Sequence, residues 1–321
     1  MLFADKLAIA HGTHSLYSLQ LKSSDLNVGE AAAHAVLCTP DQTFGIRQKN
    51  SSNTAYILQS KDGDASPDGA IAVPELVGIS KLESTLETLP APSTKASTYI
   101  GQLLPIQSIV APVAGRTQAM TKDELFSNIP LSDAECEIAF REASVFADHI
   151  TKHCWLPSAA VKINTWHSIL ENARANAVDL TTELDKDTLL SLKDGLEDLR
   201  PGLFEAIINS IATPTNSHTL IDPIRLVRWV GLNRLGTDAP VKVISTAEFK
   251  ASWKDELPES LRDKVDLAVI TDRAEVRGGK WVRYRSDSFE LVAGLKGANA
   301  SDAAGTKRKW HEKFKPAKKA T

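Results

Sequence analysis

Asp272-Arg273-Ala274-Glu275-Val276-Arg277-Gly278-Gly279-Lys280-Trp281-Val282-Arg283-Tyr284-Arg285 alternates apolar with charged side chains on either side of a glycine pair. Glycine tolerates the positive φ angles of a two-residue primed turn, so Ala274 to Arg277 and Lys280 to Arg285 are predicted as the strands of a hairpin. Strand periodicity puts Trp281, Arg283 and Arg285 on one face. From 273 to 285, Arg273, Arg277, Lys280, Arg283 and Arg285 are opposed by Glu275 alone. Such a hairpin suits phosphate binding, and the same charges also fit a solvated edge strand that resists sheet-to-sheet aggregation.

The residues before the hairpin read as helices. Ser245-Thr246-Ala247-Glu248 has capping-box spacing and opens a helix with Phe249 and Trp253 four apart; Pro258 opens a second through Leu261, Val265 and Leu267. Two helices followed by a basic hairpin is the element order of a winged-helix domain, in which a helix can enter the major groove while the wing reaches the backbone or minor groove. That domain is placed at 214–290.

Further upstream, from about 121, the pattern is that of short amphipathic helices. Ser132 and Glu135 form a capping-box pair; a helix near Pro157-Ser158 carries Val161, Trp166, Ile169 and Leu170; others run near Asp187 to Leu199, Pro201 to Ile211 and Asp222 to Val230. Pro157, Pro201 and Pro223 each suit a first helical position, where the missing N–H would be unpaired anyway. Residues 121–213 therefore read as small repeated helical modules.

Residues 1–120 read as β structure. Alternating stretches such as Leu16 to Leu21, Ala35 to Cys38, Thr43 to Arg47 and Thr54 to Leu58 are separated by turn formers, which suggests a barrel or sandwich of short strands. Residues 60–98, with Gly63, Pro67, Gly69, Pro74, Pro90 and Pro92, read as a loop-rich connection with room for a short helix between Pro74 and Leu89.

Composition narrows the class. At 321 residues and 42% hydrophobic the chain can bury more than one core, so two to four domains are expected. No apolar run reaches the ~20 residues that cross a bilayer, and Met1 to Lys6 lacks a secretory start, so a soluble intracellular protein without a membrane partner is expected. Cys38, Cys136 and Cys154 are odd in number and far apart, which suits the reducing cytosol or nucleus.

Charge is segregated along the chain. Residues 241–321 hold 18 Lys and Arg against 12 Asp and Glu, while residues 121–240 hold 11 against 18, within a net charge of −3. A polyanion would therefore be met at the carboxyl end. Gly294 to Gly305 reads as a linker, so 291–321 is a flexible linker and basic tail, where Lys307, Arg308, Lys309, Lys313, Lys315, Lys318 and Lys319 oppose Glu312 beyond the linker. The tail fits DNA binding, docking on a partner, or nuclear import.

Signals for catalysis are weak. His149, His153 and Cys154, with Cys136 upstream, are the one plausible metal cluster, and they equally read as a helix end with Cys154 and Trp155 in the core. A metal-dependent enzyme built on them is the alternative from a different class. There is no phosphate loop with Lys-Ser/Thr, no dinucleotide GxGxxG and no nucleophile elbow, so neither a cofactor nor catalysis is expected; Glu197 and Asp198 read as water-facing.

The run Val36 to Gln48, followed by Ser52-Asn53 and Tyr56-Ile57-Leu58, resembles the N-terminal signature of the Dcc family, named for defective sister chromatid cohesion. Ile129 to Cys136, Arg228-Trp229-Val230-Gly231 and Phe249…Trp253…Leu257-Pro258-Glu259 agree with it in order. The resemblance covers about 30–285. It implies an α+β chain whose N-terminal β-barrel half belongs to a heteromeric triple barrel, completed by a small companion subunit and the C-terminal tail of the large clamp-loader subunit. Tandem winged-helix domains would follow, two of them in 121–213. It further implies a non-catalytic, nuclear subunit of the cohesion-type replication factor C clamp loader. That subunit would bind DNA, dock on the catalytic subunit of DNA polymerase epsilon and act indirectly on PCNA. The non-catalytic B-type subunit of eukaryotic ribonuclease H shares this architecture and is the alternative within the class.

Overall fold

A computed structural model describes residues 6–11, 15–22, 35–49, 55–61, 75–82, 85–91, 94–109, 119–194, 196, 199–214, 218–238 and 243–285. The chain is mixed α and β, with several small sheets and no closed barrel among the described residues.

The N-terminal part contains strands β1 (Lys6–His11), β2 (Ser15–Lys22), β3 (Val36–Cys38), β4 (Thr43–Lys49), β5 (Ala55–Lys61), β6 (Glu75–Leu82) and β7 (Thr85–Leu89). Five of them form an antiparallel sheet in the order β1-β2-β3-β4-β7, and β5 pairs with β6 as a separate ribbon. Residues 75–82 and 85–89 are thus strands, neither the loop-rich connection nor the short helix that the prolines suggested. Pro90 lies just outside β7, where no ladder N–H is required of it.

From Ala96 onward one element order occurs three times. The first unit is α1 (Ala96–Leu103), β8 (Ile106–Gln107), α2 (Lys122–Asn128), α3 (Asp133–Glu142), β9 (Phe146–Ala147) and β10 (Cys154–Pro157). The second is α4 (Ala159–Ala175), β11 (Glu183–Leu184), α5 (Lys186–Asp194), α6 (Leu203–Ile211), β12 (Ala212–Pro214) and β13 (Thr219–Ile221). The third is α7 (Pro223–Asp238), β14 (Ile244–Ser245), α8 (Thr246–Asp255), two 3-10 stretches (Glu259–Lys264 and Leu267–Ile270), β15 (Ala274–Arg277) and β16 (Trp281–Tyr284). In every unit the third strand lies between the other two: β8-β10-β9, β11-β13-β12 and β14-β16-β15.

Local chemistry explains where these elements begin. The Ser132–Glu135 capping box is formed, with the Glu135 amide donating to Ser132 Oγ at 3.3 Å and Glu135 Oε2 accepting from the Ser132 amide at 3.2 Å. Pro223 is the first residue of α7, as its missing N–H allows. Pro157 instead closes β10, and Ser158 caps α4 by accepting from the Val161 amide; Pro201 stands before Gly202, whose φ of 91° leads into α6. The capping box expected at Ser245 is not made, because Ser245 is held in β14 opposite Trp281 and the next amide, Thr246, donates to the Lys280 carbonyl at 2.8 Å. The helix expected to follow Pro258 is broken into the two 3-10 stretches.

Two apolar cores result. One fills the first unit, from Ala96 to Leu156; the other runs through the second and third units around Trp166, Trp229, Phe249 and Trp253. Trp166 and Trp229 meet edge to face with centroids 6.3 Å apart. Trp229 Nε1 donates to Ser144 Oγ at 3.1 Å, and Ser144 Oγ in turn donates to Ser210 Oγ at 3.1 Å, so one polar chain links all three units.

The N-terminal sheet is fastened to the start of α3. Lys22, 8% exposed, donates to the Leu131 carbonyl at 2.8 Å and to Asp133 Oδ1 at 2.9 Å. Thr43 Oγ1 donates to Glu135 Oε2 at 2.5 Å and accepts from the Ser132 amide at 2.7 Å, while the Ala134 amide donates to the Pro40 carbonyl at 3.1 Å. The stretches 36–48 and 129–136, remote in sequence, are therefore one joint.

Candidate nucleic-acid interface

The hairpin β15–β16 forms as the alternation requires. Val282 and Tyr284 point into the core, Trp281 is half exposed, and Arg283 and Arg285 lie on the outer face with it. Gly278 and Gly279 have φ of 56° and 67°, and the Lys280 amide donates to the Arg277 carbonyl at 3.2 Å. The loop is one residue longer than the two-residue turn expected, since Arg277 pairs with Trp281. Lys280, the extra residue, offers the carbonyl that the Thr246 amide uses.

The electrostatics of this surface are uneven. Glu275 stands directly opposite Arg283 and accepts from both Arg283 (2.5 Å) and Arg277 (2.9 Å), and these two guanidiniums hold its carboxyl below the usual range. Arg273 is largely covered and lies 3.7 Å from Asp272. Arg285 Nε donates to the Ala274 carbonyl at 3.4 Å and is otherwise exposed, and Lys280 is exposed at the tip. Five cations against Asp272 and Glu275 leave the hairpin net positive. The two 3-10 stretches and the residues between them carry Glu259, Asp263 and Asp266 against Arg262 and Lys264, so they add no net positive charge to that of the hairpin.

An ion pair behind the hairpin sets its base. Arg228 on α7 donates to Asp272 through both amino groups (2.7 and 2.6 Å) and also to the Val269 carbonyl. Its hydrogen bonds hold the Asp272 carboxyl low. The spacing of neither residue in the sequence pointed to this pairing; they are forty-four positions apart and only the fold brings them together.

The structure thus brings Arg273, Arg277, Lys280, Arg283 and Arg285 onto one hairpin. Lys307, Arg308, Lys309, Lys313 and Lys315 lie outside the described residues. His149 and His153 fall on the connection between β9 and β10 and Cys154 opens β10, none of them on a helix end; Cys154 is buried, with its thiol pushed up to about 11 by burial. No group of three His, Cys, Asp or Glu side chains among the described residues is placed to hold a metal ion. Among the same residues, no helix is long and apolar enough to cross a membrane.

The family model described as sister chromatid cohesion protein Dcc1 matches residues 8–288. The chain belongs to the Dcc1 family, and its role lies in sister chromatid cohesion. A comparison with curated proteins gives no match.

Proposed function

We propose that this chain is a non-catalytic adaptor subunit of an alternative PCNA clamp loader, acting in the nucleus in DNA replication and sister chromatid cohesion. Its three repeated units are read as tandem winged helices, because helix, strand, two helices and a hairpin is the order of that fold. The third unit binds DNA through the hairpin, by phosphate contact more than by base reading, since the segment that would enter a groove has no excess of basic side chains. The other units offer surfaces for DNA polymerase epsilon. The N-terminal sheet and ribbon complete a triple barrel with the tail of the large loader subunit and a small companion.

The observation that carries this reading is the exposed β5–β6 ribbon. Tyr56 is 62% exposed, Leu58 54% and Ile79 58%, and both ribbon edges are unpaired among the described residues. Apolar strands with open edges invite pairing with another chain. The test is to purify the endogenous protein under mild salt and identify what accompanies it. Clamp-loader subunits are expected; a nuclease subunit in their place, or a chain that purifies alone, overturns the reading.

A further inference from the structure

A cavity of about 220 Å³ opens where the three repeated units meet, far above the volume a single water needs. Its walls come from α3, α4, α6, α7 and the β16 strand, and Arg141, Lys162, Arg225, Arg228 and Arg273 all line it. Glu142 is the acid in the lining; Asp222 and Asp272 stand beside it, paired with Arg225 (3.7 Å) and Arg228 (2.6 Å). Five basic groups against three acids leave an excess of two positive charges.

Lys162 is the unusual member. It is 5% exposed, within the apolar side of α4, and no hydrogen bond or ion pair among the described residues engages its ammonium. A buried ammonium without a partner is costly, and native structures seldom leave one so. Arg141 likewise has no ion pair among the described residues, whereas Arg225, Arg228 and Arg273 are each occupied by an acid.

We propose that this cavity binds a small phosphate-bearing ligand as its dianion, with the Lys162 ammonium and the Arg141 guanidinium as the two uncommitted cations that receive it. The site goes beyond the DNA-binding hairpin: Lys162 lies too deep for a duplex backbone to reach. Because the walls belong to all three units, occupancy ties them together.

The proton balance supplies a signature. Burial pushes Lys162 down to about 7, so much of it is neutral above that pH, and a bound dianion draws a proton onto it. The other charged or titratable groups lining the cavity are Arg141 and Glu142 on α3, Arg225 and Arg228 on α7, and Arg273 and Tyr284 at the hairpin, and burial is what shifts Lys162. Burial pushes Tyr284 up to about 12, outside this range. Phosphate monoesters are already dianions above roughly pH 7.

Isothermal titration of the full chain with inorganic phosphate and with methyl phosphate, from pH 7 to 9 and in buffers of different ionisation enthalpy, tests this. Saturable one-to-one binding is expected, with proton uptake and an affinity that falls by up to about tenfold per pH unit. Preference for inorganic phosphate identifies the free ion and equal or tighter binding of methyl phosphate identifies a monoester; either supports the site. Lys162→Met should weaken binding at least tenfold and flatten the pH profile. Arg141→Gln, at a partly exposed position without an ion pair among the described residues, should also weaken it. Absence of saturation with both probes, unchanged affinity in Lys162→Met, acetate binding as tightly as methyl phosphate, or displacement of phosphate by duplex DNA overturns the proposal.

Discussion

Trp253 lies so close to Gly231 that a Cβ placed on the glycine would come within 2.4 Å of the indole Cε2 and Cζ2 atoms. The indole is fully buried, and its Nε1 donates to the Val227 carbonyl at 2.8 Å, one turn earlier on α7. Glycine is thus required here for close approach of α8 to α7, a steric demand. Gly231→Ala should cost about 2–4 kcal/mol in urea unfolding, since neither the backbone nor a ring fixed by a hydrogen bond can move aside. Gly278→Ala, where nothing lies within 4 Å, should cost only the roughly 1–2 kcal/mol of a positive φ.

The Glu275 carboxylate restrains two of the five hairpin cations. Glu275→Gln should therefore tighten duplex binding severalfold and steepen its salt dependence, while Arg283→Ala with Arg285→Ala should weaken binding similarly for all sequences and reduce the slope of log K against log salt by about 2. Fluorescence anisotropy at several salt concentrations reads both. An unchanged slope in the double variant removes the hairpin from the DNA interface.

Lys22 joins the N-terminal sheet to the start of α3 with one ammonium shared among the Phe126 and Leu131 carbonyls and the Asp133 carboxylate. Lys22→Met leaves the Leu131 carbonyl and the joint around Thr43 unsupported, and a charge-assisted bond of this kind contributes about 1.5–3 kcal/mol. Hydrogen exchange should quicken at the Ser132 and Ala134 amides, which donate across the joint, and stay unchanged in α7.

Lys162 also sets a pH dependence of stability. Its folded value of about 7 lies below the ordinary 10.5, so the unfolded chain holds more protons between those limits and stability rises with pH through the window. Above about pH 9 the buried thiols act oppositely: Cys136 is pushed up to about 12 and Cys154 to about 11, so the unfolded chain loses protons first and stability falls. Between pH 7 and 9 the chain should gain roughly 2 kcal/mol in urea unfolding, and Lys162→Met should flatten that rise.

Much of the third unit was legible because its signals are local. A glycine pair between alternating residues sets a hairpin, and Phe249 with Trp253 sets a helix face, without help from remote residues. The joint at Ser132 was legible only as a cap; that Glu135 also receives Thr43 depends on a strand ninety residues earlier. Ser245 misled because sheet pairing took the residue a cap would need. Lys162 escaped because a lysine on an amphipathic helix ordinarily faces water, and the cavity that surrounds it is built from three units. Glu275 was visible as one acid among five bases, but its pairing with two of them is a matter of strand register.

The β5–β6 ribbon separates a self-sufficient N-terminal half from one completed by other chains. Tyr56, Leu58 and Ile79 are more than half exposed, so in a self-standing chain Tyr56→Ser, Leu58→Ser and Ile79→Ser should each change stability by less than about 0.5 kcal/mol. If partner strands cover the ribbon, the triple variant should fold with an unchanged melting temperature and yet fail to retain co-purifying partner chains, because the apolar area that drives association is gone. A triple variant that keeps its partners would place the assembly surface elsewhere. One that loses stability alone would mean that these side chains belong to the chain's own core.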